Sequence, residues 1–450
     1  MSWNTQMRSP DHRPPLGRLL PLGVMLLSAL TPALARDVLS DKTAIDAILS
    51  SNYSHLDTLY KQIHRHPEVQ FQEIDTGGRL AKEMRALGFE VTERVGKTGI
   101  VAVYRNGPGP MVLVRTELDA LPMEEKTGLP YSSNVKILWN GKETGVAHSC
   151  GHDIHMASWV GTAHALLALK RTWQGSLMFI GQPAEEGGGG AKAMLDDGLF
   201  ARFGKPDYGF ALHTTAFAYG EVRYHRGSIT STVDGLAITF HGRGGQASNQ
   251  SEGVVDPLMQ AANFMVAEQG LTAREKDPFK FGVIGIGSIQ GGTVGNVIPD
   301  TVRLLGTMRT YDPEVRLKLI SGLQRVAAGT AALAGAPPPD VVITSYTASV
   351  VNDDALLDRT LAVFRTAFGD SLKETERFAA GDDFYEYIKA GVPSVYFIIG
   401  IYDPERVAAA AAGGPRLEPN HSPAYAPVPE PTIRTGVTAM TLAVLNRLGP

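Results

Sequence analysis

The chain has one cysteine in 450 residues, Cys150, and it lies in the hexapeptide His148-Ser149-Cys150-Gly151-His152-Asp153. A thiolate and an imidazole on either side of a glycine can chelate a borderline-soft divalent metal such as zinc. Asp153 is placed to orient the far ring nitrogen of His152. The alternative is a buried structural cysteine, followed by an aspartate that caps the next helix. The hexapeptide alone leaves both interpretations open.

A pair of adjacent carboxylates, Glu185 and Glu186, follows the apolar run 176–180 and precedes the glycines 187–190. At the end of a strand, one carboxylate of such a pair can bind a metal while the other stays free as a general base. The glycines let the backbone approach a ligand closely. The alternative is an acidic, flexible loop, although a buried strand seldom runs straight into one.

Four more polar residues could join this site. Glu117 and Asp119 close another apolar run, and side chains two apart on a strand point the same way, which suits holding a ligand imidazole. His213 ends the run 208–212, and His421 lies in a turn far downstream. Each alone is compatible with a structural role. Together with Cys150, His152 and the carboxylate pair, they suffice for two divalent metals and one base.

Such a pair of metals can polarise a carbonyl group and lower the pKa of a bound water, which is the chemistry of a hydrolase. Other chemistries lack their residues. The glycines 187–190 have no following Lys-Ser or Lys-Thr, so they do not form a phosphate-binding loop. No Gly-x-Ser-x-Gly elbow stands beside a convincing triad. A nucleophilic Cys150 would leave Glu185 and Glu186 without a role.

A layered α/β fold is expected to position these residues. Apolar spacing of three and four predicts a helix through residues 44–63, and further helices are predicted over 75–87 and 156–169. Strands that alternate with helices predict a mainly parallel sheet, whose carboxyl ends share one crevice for ligands. The predicted strands are 100–104, 111–118, 176–180, 208–212 and 395–399.

The middle of the chain changes character, and a β-α-β-β-α order there predicts an inserted α+β module of the ferredoxin-like kind. The predicted strands are 236–240, 281–289 and 302–310, and the predicted helices are 257–269 and 315–334. The predicted domains are therefore a catalytic domain in two parts, 36–228 and 349–450, around an inserted domain at 229–348. The tract 408–414, rich in alanine and glycine, is predicted to be a loop.

Composition is that of a globular protein and excludes one class of partner. Apolar residues make up 43% of the chain, its net charge is −4 and its isoelectric point is about 6.3. The chain therefore has no basic footprint for nucleic acid.

Residues 1–35 are typical of an export signal. Arginines at positions 8, 13 and 18 precede an apolar stretch at 19–30 and a small-x-small site at Ala33-Leu34-Ala35. We expect a periplasmic or secreted protein without a stable membrane span once the signal is cleaved; an uncleaved anchor is the alternative. With a single cysteine, such a protein has no internal disulfide.

These segments, in this order, resemble the M20 metallopeptidase family. Within it they resemble the amidohydrolase branch of hippurate hydrolases, N-acyl amino acid amidohydrolases and auxin-conjugate hydrolases. The resemblance runs from His64 to Tyr425. The motifs that carry it are His64-Arg65-His66-Pro67-Glu68 with Glu73 and Thr76, the hexapeptide 148–153, Pro183-Ala184-Glu185-Glu186, Gly291-Gly292-Thr293 with Asn296-Val297-Ile298-Pro299-Asp300, and Gly306-Thr307-Met308-Arg309.

The resemblance implies a zinc-peptidase-like catalytic domain, a lid domain through which the chain forms a homodimer, and hydrolysis of the amide bond of N-acyl amino acids or small peptides. It implies two divalent metal ions; thiolate and imidazole favour zinc, and the carboxylates also suit manganese or cobalt. Cys150 would bridge the metals and Glu185 would be the general base. The other metal ligands would be His152, Glu186, His213 and His421, and the substrate-binding residues would be Asn296 and Arg309.

Three residues depart from the family pattern. Glu117 and Asp382 stand where an aspartate and a glutamate, respectively, are usual. Gln246 replaces a histidine that, in the family, reaches across the dimer towards the substrate carbonyl; an amide can donate a hydrogen bond there but cannot become cationic. These changes leave open a dipeptidase, a carboxypeptidase or a non-catalytic exported binding protein. An insertion at 139–142 is expected to be a surface loop rather than part of a pocket rim.

Overall fold

The structure, a computed structural model, describes residues 37–248 and 253–448. The predicted export signal at 1–35 lies outside these residues. None of the described helices is long and apolar enough to cross a membrane.

Several helices begin where the sequence supplies an N-terminal cap. Asp256, Asp312 and Asp403 each precede a proline and accept hydrogen bonds from backbone N–H groups of the first turn. The described helices are α1 (Val38–Arg65), α2 (Ile74–Ala86), α3 (His152–Ala168), α4 (Gly190–Asp196), α5 (Leu199–Phe203), α6 (Pro257–Gly270), α7 (Pro313–Leu333), α8 (Asp354–Phe368), α9 (Tyr385–Lys389), α10 (Pro404–Ala411) and α11 (Pro429–Leu445).

The strands form two large sheets and two small ribbons among the described residues. They are β1 (Glu90–Val95), β2 (Gly99–Asn106), β3 (Met111–Glu117), β4 (Lys136–Trp139), β5 (Lys142–Gly145), β6 (Gly175–Gln182), β7 (Tyr208–Ala218), β8 (Val222–Tyr224), β9 (Thr232–His241), β10 (Gly245–Gln246), β11 (Gly282–Gln290), β12 (Val297–Ile298), β13 (Thr301–Thr310), β14 (Asp340–Thr347), β15 (Leu372–Glu374) and β16 (Ser394–Tyr402).

The larger sheet has eight strands in the order β1-β2-β6-β3-β7-β16-β8-β15. Its centre, from β6 to β16, is parallel, and the pairs β1–β2, β2–β6 and β16–β8 are antiparallel. The central strands are buried along nearly their whole length, which explains their continuous apolar runs. The predicted α/β fold class is confirmed, with a parallel centre and antiparallel flanks.

The helix α3 lies between the larger sheet and the helices α1 and α11, so almost every one of its residues is buried. It begins at His152, earlier than the predicted start at 156. Its first turn includes the polar residues Asp153 and His155. Both are buried, and each pairs with a polar side chain from another element, Asp153 with His64 and His155 with Glu117. A buried polar first turn has no apolar periodicity, and the prediction missed it for that reason.

The second sheet is antiparallel, in the order β11-β13-β9-β14. The helices α6 and α7 cover one of its faces around a core that includes Phe240, Phe264 and Leu323. Its β-α-β-β-α-β order is the predicted ferredoxin-like module, with β14 added as a final strand. We call it the inserted module. Its sheet lies within residues 229–348, and the domain boundaries themselves stay a prediction.

The chain enters and leaves the inserted module at adjacent points. The Ile229 N–H donates to the Val350 carbonyl at 2.9 Å, and the Val350 N–H donates to Thr230 Oγ1 at 2.9 Å. Ser228 and Val351 form an antiparallel bridge beside them. The two connecting segments are therefore paired with each other.

Two segments predicted to be loops contain some regular structure. Residues 139–142 belong to a hairpin of β4 and β5, because Asn140 and Gly141 adopt positive φ angles of 50° and 77° that suit a two-residue turn. Residues 408–411 belong to α10, which Asp403 caps and whose alanines are strong helix formers. The loop prediction was therefore wrong for 408–411. At 139–142 the exposed turn of Asn140 and Gly141 agrees with the predicted surface loop, and only the flanking strands were missed.

Candidate metal centre

A cavity of about 610 Å³ lies between the end of β6, the N-terminus of α3 and the inserted module. The hairpin at 139–142 does not line it. His213 reaches it from within β7, which continues to Ala218 and so is longer than predicted. The predicted site residues that line the cavity are Cys150, Glu185, Glu186, His213, Arg309 and His421.

The candidate donor atoms lie at separations that suit a shared metal. Cys150 Sγ is 3.4 Å from His213 Nε2, and His421 Nε2 is 3.2 Å from Glu186 Oε1. His152 Nε2 is 3.9 Å from the same glutamate oxygen. Two N, O or S donors on one tetrahedral zinc ion are about 3.3–3.7 Å apart, given metal–ligand distances of about 2.0–2.3 Å. The separation of 3.4 Å lies within this range and the other two lie within about 0.2 Å of it, so divalent metal ions could bind among these side chains after small side-chain shifts.

Two donor atoms of the cluster are buried without a hydrogen-bond partner, His152 Nε2 and Glu186 Oε1. A buried polar atom left unpaired is costly, and a cation between these two would satisfy both. Cys150, His152 and Glu186 also place one donor atom each within 4.8 Å of the others. The residues present thus fit a metal. The five that could hold the ions, which we call the donor cluster, are Cys150, His152, Glu186, His213 and His421.

The backbone around Cys150 is shaped for this position. Gly151 has φ +85°, and a β-carbon there would collide with the hydroxyl of Thr214. The Asn420 amide donates to the Cys150 carbonyl at 3.2 Å and to the Thr214 carbonyl at 3.0 Å. The His421 N–H next to it donates to a carbonyl in the same hexapeptide. Asn420, which sequence reasoning missed, therefore joins the cysteine segment to the distant His421 turn.

The partner of His152 is Asp119 and not Asp153. His152 Nδ1 lies 2.8 Å from the Asp119 carbonyl oxygen and 3.6 Å from its carboxylate Oδ1. Asp153 instead lies 2.6 Å from His64 Nδ1. The prediction for Asp153 was wrong because consecutive residues on a helix project in different directions and do not face each other. Asp119 also accepts the Glu186 N–H at 2.9 Å, so it orients two donors at once.

The burial of Cys150 and the negative charges around it favour a bound cation. Burial, then the carboxylates of Glu186 and Glu185, raise the pKa of the Cys150 thiol well above its ordinary value. Burial also opposes ionisation of Glu186, but the nearby imidazoles of His421 and His152 lower its pKa to about 2. A divalent cation would reverse the balance at Cys150 by stabilising the thiolate.

Glu185 differs from its neighbour Glu186 in its surroundings. Burial, then the negative charges of Asp382 and Glu186, raise the pKa of Glu185 well above its ordinary value, against the opposing charge of Arg115. Its Oε2 is 3.9 Å from His152 Nε2, and it faces the cavity. A carboxyl group with a raised pKa suits a general base that later acts as an acid.

Glu117 forms its hydrogen bonds with residues outside the predicted ligand set, although it lies within 4.8 Å of His152 and His213. Its Oε2 lies 2.9 Å from His155 Nδ1, and its Oε1 accepts from the guanidinium of Arg115. Arg115 in turn donates to Asp382 at 2.9 Å and lies 3.5 Å from Asp383. Sequence reasoning missed Arg115 and His155; an arginine inside an otherwise apolar buried strand was the available signal. We call these five residues the Arg115 network.

Replacement of Arg115 by methionine is expected to destabilise the protein by about 3–5 kcal/mol, because it leaves the carboxylates of the network buried without a counter-charge. The side chains of Arg115 and Glu117 are both 0% exposed. The matched control is Arg105→Met, which removes a surface pair with Glu90 whose side chains are 58% and 80% exposed. That change is expected to stay within about 0.5 kcal/mol. Urea unfolding of both variants measures the difference, and equal midpoints would contradict the assignment.

Asp383 ties the glycine segment after Glu186 to the sheet. Its Oδ2 accepts the Ala191 N–H at 2.9 Å and the Gly189 N–H at 3.3 Å, and its Oδ1 accepts from the Gln182 amide at 2.5 Å. The turn that carries the two glutamates is therefore held at both ends, by the strand β6 and by this carboxylate.

His64 ties the end of α1 to the start of α3. Its Nδ1 is 2.6 Å from Asp153 Oδ2 and its Nε2 is 3.1 Å from Glu125 Oε1. Burial opposes protonation of His64, but these hydrogen bonds raise its pKa from 6.5 to about 9. The imidazolium is thus part of the folded structure at neutral pH.

This raised pKa predicts a loss of stability in alkali. A histidine whose folded pKa exceeds its unfolded pKa stabilises the protein fully below the unfolded value, and that contribution disappears as the pH rises through the folded value. Between pH 6.5 and 9 the protein is expected to lose about 3 kcal/mol of the unfolding free energy that His64 contributes. Urea unfolding at both pH values is expected to show a decline that is smaller by this amount in His64→Gln. Parallel declines in the two proteins would exclude this role.

The three predicted substrate-binding residues are separated. Arg309 lines the cavity, and its Nη1 donates to the Ala379 carbonyl at 2.6 Å. Gln246 lies in β10, which pairs with β12, and the Ala247 N–H beside it donates to the Asn296 carbonyl at 3.1 Å. Gln246 and Asn296 are therefore close to each other on the inserted module, and neither lines the cavity of its own chain.

Known proteins match the chain across this site. Residues 113–422 match the family model described as peptidase family M20/M25/M40. The chain is 32% identical over 391 residues to thermostable carboxypeptidase 1 of Saccharolobus solfataricus, which covers 86% of this chain and 93% of that protein. It is 34% identical over 313 residues to hippurate hydrolase of Campylobacter jejuni, which covers 69% of this chain and 78% of that protein.

A solved structure is similar over nearly the same length. The crystal structure of a dinuclear metal-binding peptidase from the M20 family, of Bacillus subtilis, superposes with a TM-score of 0.72 at 27% identity and covers 89% of this chain and 99% of that chain. The residues matched by the family model, 113–422, include all five candidate ligands and Glu185.

Proposed function

The chain belongs to the M20 peptidase family and is a metal-dependent hydrolase, and we propose that it cleaves the amide bond of N-acyl amino acids with Glu185 as the general base. The observation that carries this proposal is the placement of Glu185: it faces the cavity beside the donor cluster, while its neighbour Glu186 makes the donor contacts. A protein that only bound its ligand would have no use for a buried carboxyl group in this position.

When bound, two divalent ions would supply a polarised carbonyl and an acidified water. Cys150, His152, Glu186, His213 and His421 would hold them. Glu185 accepts the proton of the attacking water and donates it to the departing nitrogen, so that a carboxylate and an amine are released. The thiolate and imidazole donors favour zinc, with manganese or cobalt as alternatives.

Arg309 is the proposed anchor for the substrate carboxylate. It lines the same cavity as Glu185, and its guanidinium can make two charge-assisted hydrogen bonds to a carboxylate. Replacement by methionine should raise KM for N-acyl amino acids while the corresponding amides lacking the carboxylate are affected little.

Gln246 and Asn296 are proposed to act on the site of a second copy, in a homodimer formed through the inserted module. Neither residue lines the cavity of its own chain, which supports this arrangement. If so, a mixture of the inactive variants Glu185→Gln and Gln246→Ala, refolded together, should regain about a quarter of the normal rate, since one site in each mixed dimer is complete. No recovery, in a mixture shown to exchange subunits, would contradict the arrangement.

A panel of substrates, with and without a chelator, tests the function. N-acetyl and N-benzoyl amino acids should be hydrolysed by the metal-loaded enzyme and not after chelation. The similarity to a carboxypeptidase favours a second candidate, cleavage of peptides by the same residues, and dipeptides and tripeptides in the panel decide between the two. If no member of the panel is hydrolysed, a non-catalytic binding protein is favoured.

We further propose that the protein is exported, which N-terminal sequencing of the mature form would test.

A further inference from the structure

Three metal-binding side chains from three helices meet away from the candidate metal centre. They are His55 on α1, Glu83 on α2 and His164 on α3. His55 Nε2 lies 2.8 Å from Glu83 Oε2, and the rings of His55 and His164 have centroids 5.9 Å apart. One donor atom of each residue lies within 4.8 Å of those of the other two.

An ion pair accounts for only part of this arrangement. It would explain His55 and Glu83, but His164 forms no hydrogen bond with any residue in the described part of the chain. Burial, then the neighbouring His55, lower the pKa of His164. Its imidazole is therefore neutral at physiological pH, which is the form that binds metals.

The donor set has a defined chemistry. Two imidazoles and one carboxylate bind zinc, and related divalent ions such as nickel and copper, with one or more positions left for water. The rise of an α-helix places His164 about 18 Å from His152 along α3, so the two clusters cannot share an ion.

We propose that His55, Glu83 and His164 form a separate site for a divalent cation of the zinc class. The ion joins α1, α2 and α3 on the outer side of the larger sheet and takes no part in hydrolysis. Because it binds the folded chain and not the unfolded one, it stabilises the packing of these helices, and the stabilisation grows with the logarithm of its concentration above Kd.

Zinc stoichiometry of the full-length, metal-loaded enzyme tests this site. After equilibrium dialysis against micromolar zinc, the normal protein should hold one more ion per chain than His55→Ala or His164→Asn. Calorimetric titration should show that the affinity for this ion falls at least about tenfold in each variant, since loss of a residue that merely orients a ligand already has that effect. Zinc should raise the melting temperature of the normal protein more than that of the variants, and hydrolysis rates should be equal.

The matched control is His241→Ala. His241 pairs with Asp340 at 2.9 Å, as His55 does with Glu83, but no second imidazole accompanies it among the described residues. Its removal should leave the extra zinc ion in place. Equal zinc content in the normal protein and the His55 variant, or binding weaker than about 1 mM in calorimetry, would overturn the proposal. His55 is exposed, so its variant is expected to fold; Glu83→Gln provides a second test that keeps both imidazoles.

Discussion

Glu185→Gln is expected to lower kcat by a factor of about 10³–10⁴ while the protein keeps its fold and its metal. Glutamine has nearly the same shape as glutamate but cannot accept the proton of the attacking water. The side chain of Glu185 lies beside the donor cluster and is not required to complete it, because Cys150 and Glu186 make the donor contacts. Elemental analysis and steady-state kinetics on the same preparation measure both quantities.

The adjacent residue provides the control. Glu186→Gln makes the same chemical change one residue further along, yet it is expected to lower the metal content because Glu186 Oε1 lies 3.2 Å from His421 Nε2 and 3.9 Å from His152 Nε2. The two variants should therefore differ in metal content and resemble each other in rate. A Glu185→Gln enzyme with a near-normal kcat would exclude Glu185 as the base, whatever its metal content.

Cys150→Ala is the second change with a large expected effect. The thiol is buried among carboxylates that disfavour its ionisation, so its thiolate form depends on bound metal. Loss of the thiolate should weaken metal binding at least about 100-fold and leave little activity at micromolar metal. Metal content after dialysis, followed by rates at increasing metal concentration, measures the change.

Ser149→Ala serves as the control within the same hexapeptide. The Ser149 carbonyl accepts the His421 N–H, and this backbone contact survives the substitution, whereas its hydroxyl makes no hydrogen bond to the described residues. Metal content and rate should stay near normal. Full metal occupancy in Cys150→Ala would remove Cys150 from the set of ligands.

The fold could be predicted in outline because its main signals are local. The buried strands β3, β6 and β16 are continuous apolar runs, and α7 shows regular apolar spacing. The strand β14 was missed because it alternates between exposed and half-buried residues after a run of prolines. Such an edge strand takes its structure from pairing with β9, which no local pattern reveals.

The candidate site could likewise be predicted only where its signals are local in the sequence. Cys150, His152, Glu185 and Glu186 could be selected because they lie in short motifs after predicted strands. Asp119, which orients His152 and Glu186, could also be selected because it closes a predicted strand. Asn420 and Arg115 could not, since their contacts join distant parts of the chain through side-chain direction. The error at Asp153 has the same origin: the choice between Asp119 and Asp153 as the partner of His152 depends on where β3 ends relative to α3.

The hydrogen bonds between residues 229–230 and Val350 place the two ends of the inserted module side by side, about 5 Å apart, the spacing of neighbouring strands. In the larger sheet the module therefore occupies one connection whose two ends lie together, and the length of the module does not change the position of these ends. Such a segment can be gained, lost or exchanged in evolution as a cassette without a change in the order of the strands that carry the metal ligands.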